Sequence, residues 1–396
     1  LEHFPVVPMW HNGTIMLPKI KPESITTRDV VKAYALEMGF DLVGITSAKP
    51  FTETEEIALQ RVRDGLMDGL PWYHEARVIR GCRPQEILPG ARSIIAVAMS
   101  YMTDDTDQDD ALRGKVGRYA WGHDYHKVME NRLRIFVRGL SERLSQTIQT
   151  KIYVDTGPML DRAVAERAGI GWYGKNTNIL TSSHGSWVFL GQIITDLELE
   201  PDKPIKKTCG QCTLCIEQCP TGAIVAPYVI DNTKCISYLT IECRGPIPRN
   251  LRPLVGDWVF GCDICQDVCP VNRKAQPSSE PAFQTGEHGF NSLELLPLLT
   301  MTEDEFMETF RNSPIRRAKR VGMLRNVCVA LGNIGDPEAV PALTDALHHD
   351  EPLVRGHAAW GLGKIGGPNA KNALKQALDT ENDESVREEL VLALDL

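Results

Sequence analysis

No run of about twenty apolar residues occurs in this 396-residue chain, which excludes the usual helical membrane span. The first twenty residues scatter Pro, His and Trp and lack the basic stretch, apolar core and cleavage site of an export signal. An excess of positive charge is missing as well. The 43 Lys and Arg stand against 52 Asp and Glu, and the formal net charge of −9 argues against indiscriminate nucleic-acid binding while leaving room for a local basic patch. Cysteine is nearly absent outside one segment: nine of eleven fall between positions 209 and 269, so no disulfide framework runs through the chain. No H-E-x-x-H zinc motif is present. The composition that remains, 42% hydrophobic and 24% charged, is that of a globular protein with length for two or three domains.

The cysteines form two runs, Cys209-x-x-Cys212-x-x-Cys215-x-x-x-Cys219-Pro220 and Cys262-x-x-Cys265-x-x-x-Cys269-Pro270. A [4Fe–4S] cubane takes four thiolates, and a tight C-x-x-C-x-x-C loop supplies three of them. In two-cluster ferredoxins the fourth cysteine of such a run, followed by proline, ligates the other cluster. One cluster is therefore expected on Cys209, Cys212, Cys215 and Cys269. The second run has Val259 where its leading cysteine would stand, which leaves Cys219, Cys262 and Cys265 one ligand short. Cys235 is the favoured fourth ligand and Cys243 the first replacement. A zinc ribbon needs only four cysteines and leaves the other run members and both Cys-Pro dipeptides unexplained. Clusters also call for a reducing compartment, so the expected location is the cytoplasm. Cys82 and Cys328 have no partners by spacing and read as ordinary thiols, Cys328 on the apolar face of a helix.

Helical and strand patterns alternate from 27 to 200: a helix over Val30–Met38, a strand over Asp41–Thr46, an apolar strand over Ser93–Tyr101, a helix over Tyr125–Leu144, and strands over Ile152–Val154 and Trp187–Thr195. This is an α/β domain. It follows an N-terminal extension (1–26) and precedes a turn-rich cluster module (201–275), a connector with helices (276–312) and a repeat region (313–396). In the last, Ala330-Leu-Gly-Asn-Ile-Gly335 is echoed by Gly361-Leu-Gly-Lys-Ile-Gly366, and Leu331, Leu362 and Leu394 are spaced by 31 and 32 residues. That period indicates a HEAT-like α-solenoid. Arg311, Arg316, Arg317, Lys319, Arg320 and Arg325 put six cations in fifteen residues at its start. From charge alone such a run is a solvated helix face. Gly169-Ile-Gly171-Trp-Tyr-Gly174-Lys175 matches G-x-G-x-x-G, but the preceding Leu160–Ala168 is helical where a dinucleotide site needs a strand, and Asn176 stands where a P-loop needs a hydroxyl.

The stretch Val154-Asp155-Thr-Gly-Pro158 through Asp161-Arg162 to Lys175-Asn176-Thr-Asn178 concentrates acid, base and glycine. With the ferredoxin-type cysteines and the terminal repeat, the chain resembles the epoxyqueuosine reductases from about residue 30 onward, including the HEAT-like tail of their long form. The resemblance implies a nitroreductase-like α/β domain holding a base-off cobalamin beside a ferredoxin-like module with two [4Fe–4S] clusters, followed by the all-α repeats. It implies reduction of the epoxide of epoxyqueuosine in a tRNA anticodon loop, with a low-potential electron donor and a monomeric enzyme. Asp155 matches the family's catalytic aspartate, a proton donor whose pKa burial would have to raise; the bland alternative is a cap on the helix near Pro158. Cobalamin contacts are expected from Arg80, Gly117, Arg118, Asp155, Lys175, Asn176, Ile179, Leu190, Ser237 and Asp263. Asp161 and Arg162 read as a local structural pair, with contact to substrate the alternative, and His123 and His126 as surface residues; Asp124-Tyr-His126-Lys-Val-Met129 ends wrongly for the D-x-H-x-x-G signature of base-on-protein cobalamin enzymes. Arg244, Arg316, Arg317, Lys319, Arg320 and Arg325 become candidates for gripping tRNA phosphates. A corrinoid reductive dehalogenase acting on a small molecule shares the chemistry but carries a twin-arginine export signal that is not visible here. A bare electron carrier leaves the first 200 residues idle, and a scaffold protein explains only the repeats.

Overall fold

The structure is a computed structural model that describes residues 26–103, 112–284 and 290–396. Residues 1–25 of the expected N-terminal extension and 285–289 of the expected connector lie outside the described residues. Strand Ser93–Ser100 is buried along its whole length, as its unbroken apolar run requires. It lies inside an antiparallel four-stranded sheet in the order Leu42–Ser47, Ser93–Ser100, Val188–Thr195, Thr150–Tyr153. Side chains alternate across a strand, so its two faces need separate cover. Ile45, Ile95, Val97 and Ile193 meet Val31 and Ala35 of helix Thr27–Glu37 and Met129, Leu133 and Phe136 of helix Tyr125–Leu144. Ile94, Ala96, Ala98 and Ile194 point the other way, onto Val78, Ala163 and Val164. Helices thus cover both faces in an α/β sandwich. The helix over Tyr125–Leu144 has the expected bounds.

A second, three-stranded sheet stitches the parts together. Its middle strand Arg113–Val116 pairs in parallel with Trp258–Phe260 of the cluster module and antiparallel with Ser292–Glu294 ahead of the helical region. In the cluster module the short helices Leu214–Glu217 and Ile264–Asp267, one from each cysteine run, lie against each other.

After two short helices, Leu295–Thr300 and Glu303–Thr309, five form the repeat region: Lys319–Ile334, Val340–Ala346, Pro352–Ile365, Gly367–Thr380 and Glu384–Leu394. The repeated Leu-Gly pair marks where they touch. A Cβ at Gly332 would lie 2.8 Å from the Gly361 Cα, and one at Gly363 would lie 2.6 Å from the Ala393 carbonyl oxygen. Successive inner helices therefore pack backbone to backbone, and a larger side chain at either glycine would force them apart. The solenoid is also pinned to the cluster module: the buried Arg252 guanidinium holds the Glu389 carboxylate through two bonds of 2.9 and 2.6 Å while its Nε donates to the Ile247 carbonyl. No described helix is long and apolar enough to cross a membrane.

Candidate active site

Asp155 lies in the turn between strand Thr150–Tyr153 and helix Asp161–Arg167. Its φ of 56° is in the left-handed region, uncommon for a residue with a side chain. The turn is braced from outside, because Arg77 donates to the carbonyls of Thr156 and Gly157. The helix starts six residues later, with Leu160 at its N-cap and no side-chain cap, so Asp155 does not serve as the cap. Its carboxylate faces another helix start. Oδ2 accepts from the Tyr125 hydroxyl at 2.9 Å and lies 3.4 Å from His126 Nε2, while His126 Nδ1 sits 2.8 Å from the Asp124 carboxylate. Tyr125 and His126 are the first two residues of helix Tyr125–Leu144, and Asp124 caps it.

The electrostatics of this group correct an expectation. Desolvation would raise the Asp155 carboxyl, whose side chain is still 56% exposed, but the His126 imidazole 3.4 Å away, then the Tyr125 hydroxyl and the Arg317 charge, outweigh it and hold the group down at about 2. Asp155 is ionised here, and the proton sits on its neighbour. Burial would lower His126, yet the hydrogen bond to Asp124, the close Asp155 carboxylate and the charges of both lift it to about 9. His126, expected at the surface, is only partly exposed and central. Asp161 behaves in the opposite sense to Asp155: burial and the nearby Asp155 charge push it up to about 7, and its partner is Gln192 at 2.8 Å, not Arg162.

Beside Asp155 a cavity is lined by Tyr101, Tyr119, Tyr125, Phe189, Ile179 and Leu190, with Arg162, Asn178, Ser186 and Gln266 at its polar edges. Tyr125 and Phe189 stack with centroids 4.1 Å apart and planes within 2°. Flat apolar walls with amide, hydroxyl and guanidinium groups at their edge match a corrin, a flat macrocycle fringed by amides. The Arg118 guanidinium packs between Trp121 and Trp187 and pairs with Asp267, and its buried Nε has no partner. The Arg118 backbone N–H donates to buried Asp263 at 2.6 Å, and a Cβ on Gly117 would stand 3.4 Å from the Cys262 nitrogen.

The thiols fall into two sets. Cys215 is raised by burial and then by Cys209, Cys269 and Cys212. Cys262 is raised by burial and, among thiols, by Cys235 and Cys219. Cys265 feels burial, Cys235 and Cys262 most and Cys215 least, so the sets adjoin. The Cys243 thiol lies 3.6 Å from the Gly245 carbonyl and acts on Tyr238 and Arg325. Two sets of four thiols suit two cubanes, whereas a zinc ribbon would use only four of the eight. The second set abuts the cavity, because Gln266, next to Cys265, donates to the Tyr101 hydroxyl at 3.1 Å.

Several residues expected at the cofactor engage the cysteine loops. Lys175 Nζ donates to the carbonyls of Gly210 and Cys212 at 2.8 and 2.9 Å, and Asn176 to that of Cys265 at 3.1 Å, so both brace cysteine loops. Ser237 offers its backbone N–H and hydroxyl to Cys235. Arg80 is exposed on helix Glu75–Gly81 and does not line the cavity.

The cationic run divides as well. Arg325 is only 1% exposed and cannot meet a phosphate: it donates to the carbonyls of Leu239, Cys243 and Gly245 and to Asn326. This corrects its assignment to RNA, because carbonyls from the cluster module consume its donors. An Arg325→Ala chain should lose about 3 kcal/mol of stability through the stranded carbonyls, read as a lower melting temperature, with RNA affinity unchanged per folded molecule. Arg320 donates to the Met301 carbonyl, and Arg244 to those of Ile241 and Ala318. Arg316 remains half-buried and Lys319 exposed.

A ring-walled cavity beside an acid–imidazole pair and two adjoining four-thiol sets define an iron–sulfur oxidoreductase. Family models describe the same parts: "Epoxyqueuosine reductase QueG, DUF1730" over 82–156, a 4Fe-4S double cluster binding domain over 208–272, and HEAT repeats over 320–395. An epoxyqueuosine reductase of Bacillus cereus is 38% identical over 374 residues, 93% of this chain and 97% of that one. A crystal structure of an epoxyqueuosine reductase with an epoxyqueuosine-modified tRNA stem loop superposes with a TM-score of 0.86 at 35% identity, covering 93% of this chain and 97% of the other. A Bacillus subtilis structure, with its catalytic aspartate loop swung out of the active site, gives 0.86 at 34% identity over 93% and 98%. The chain belongs to the epoxyqueuosine reductase family, whose cofactors are cobalamin and two [4Fe–4S] clusters.

Proposed function

We propose that this chain reduces the epoxide of an epoxyqueuosine nucleotide in a tRNA anticodon loop to the alkene of queuosine, as a cytoplasmic monomer supplied by a low-potential electron donor. The observation that carries the reading is the Asp155 carboxylate, held by Tyr125 and His126 beside a cavity that Gln266 joins to the second thiol set. Cys209, Cys212, Cys215 and Cys269 would hold one cluster and Cys219, Cys235, Cys262 and Cys265 the other. Ile179, Leu190 and the ring wall would hold the corrin. When bound, these groups supply the two electrons of the reaction.

The balance is epoxide plus two electrons and two protons to alkene plus water, so the polypeptide must deliver protons to the departing oxygen. His126 stores one near neutral pH, and Asp155 joins it to Tyr125 of the cavity wall. Substrate that displaces water from Asp155 strengthens the burial that raises its carboxyl, and the His126–Asp155 pair then moves its shared proton outward. Tyr125 stays neutral, raised by burial and by the Asp155 charge, and fixes the carboxylate. Arg162, exposed at the cavity edge, suits the phosphate of the inserted nucleotide.

Incubation of the reconstituted protein with epoxyqueuosine-containing tRNA and a low-potential reductant should yield a nucleoside one oxygen lighter by mass; persistence of the epoxide would end the proposal. Affinity for the tRNA should fall with rising salt, with a slope of about 0.7–0.9 per phosphate neutralised. Arg316→Ala with Arg317→Ala should make that slope shallower, and an unchanged slope would remove both residues from the interface.

A further inference from the structure

Trp121, Trp172, Trp187 and Trp360 are buried. Trp72 is not. It is half-exposed, belongs to none of the apolar cores, and makes no ring–ring contact or hydrogen bond among the described residues. Its one ring contact is a cation: the Arg317 guanidinium carbon lies 5.5 Å from its centroid, and Arg317 also pairs with Glu242. Trp72 comes from the α/β domain, Glu242 from the cluster module and Arg317 from the start of the helical region, so three parts of the chain meet at this edge. The edge is the rim of the active site, because the Arg317 charge reaches Asp155, Tyr119 and Tyr125. The next residue, Tyr73, feels the charges of Arg61, Arg162 and Arg77, and Arg162 borders the cavity.

A part-exposed indole with no ring–ring partner beside a guanidinium is a combination that binds single-stranded nucleic acid, since every base has a π-face and every nucleotide a phosphate. We propose that Trp72, backed by Arg317, is a stacking platform for an unpaired anticodon-loop base adjacent to the modified nucleotide. The proposal rests on the RNA reading above. One base enters the cavity past Asp155, and its neighbour stays outside on the indole while Arg317 neutralises the phosphate beside it. Stacking holds the loop open without reading sequence.

The test measures binding of a fluorescent anticodon hairpin to the holoenzyme, using hairpins that are intact or abasic at either neighbour of the modified position. Trp72→Leu, which keeps bulk but has no π-face, should weaken the intact hairpin roughly tenfold, the scale of one base–aromatic stack, and Trp72→Phe should restore most of that loss. One abasic hairpin should bind the unaltered enzyme as weakly, and Trp72→Leu should weaken it no further. An equal effect of Trp72→Leu on all hairpins, or a lower melting temperature with unchanged affinity, would overturn the platform and leave Trp72 a packing residue. Failure of the unaltered enzyme to bind any hairpin would instead overturn the RNA reading itself.

Discussion

Asp155→Asn should lower single-turnover epoxide reduction by roughly 10³-fold, within the range ascribed to positioned proton transfer, while the visible spectrum of the bound clusters and cobalamin stays that of the unaltered protein. At 1.36 kcal/mol per tenfold this is about 4 kcal/mol of barrier. The amide keeps the size of the side chain and can still accept from Tyr125, so the left-handed turn braced by Arg77 survives. What disappears is the charge that His126 answers. In the unaltered enzyme the imidazolium is retained until about pH 9, so turnover should hold through neutral pH and fall as the pH rises through that value. In the Asn variant only Asp124 still supports the cation, and the alkaline fall of the residual turnover should begin at lower pH.

The same linkage sets two stability windows. The raised His126 contributes fully below its free value of 6.5 and loses that contribution as pH rises through about 9. The depressed Asp155 contributes above its free value of 3.8 and loses it as pH falls through about 2. Turnover within a few fold of the unaltered enzyme would remove Asp155 from proton delivery and leave it a turn residue.

What could be read from the residues alone followed from how local the cause was. Thiolate spacing is local, and so is the 3.6-residue period that placed the helix over Tyr125–Leu144; the repeat glycines follow from sequence echo because each copy packs on the next. The sign of the Asp155 shift was not legible. It depends on His126 and Tyr125, about thirty residues earlier in the chain, and on whether that pair faces the carboxyl. Arg325 failed for the same reason: a cation on a helix is solvated or buried according to which carbonyls come to it, and those of Leu239, Cys243 and Gly245 arrive from eighty residues or more away. The hydrogen bonds of Lys175 and Asn176 to the cysteine loops were not legible either, because those loops lie 34 residues and more further along the chain, although the same turn also brings Asn178 and Ile179 to the cavity.

Iron content should show the second large effect, and it separates crossed ligation from ligation within each run. The unaltered holoprotein should carry about eight irons, two cubanes of four. Cys235→Ser removes one corner of the set that also holds Cys219, Cys262 and Cys265, so iron should fall to about four, whereas Cys243→Ser should leave about eight. Because the lost cluster abuts the cavity through Gln266 and Tyr101, turnover should vanish with it even though the first cluster remains. Pairs of substitutions decide the crossing. Cys219→Ser with Cys235→Ser strikes a single crossed cluster and should still leave about four irons, while Cys219→Ser with Cys215→Ser strikes both and should leave almost none. If each run ligated its own cluster, that last pair would strike one cubane only and retain about four. A retained cluster in the Cys215/Cys219 variant would therefore refute the crossed arrangement, and loss of iron from Cys243→Ser would move the fourth ligand from Cys235 to Cys243.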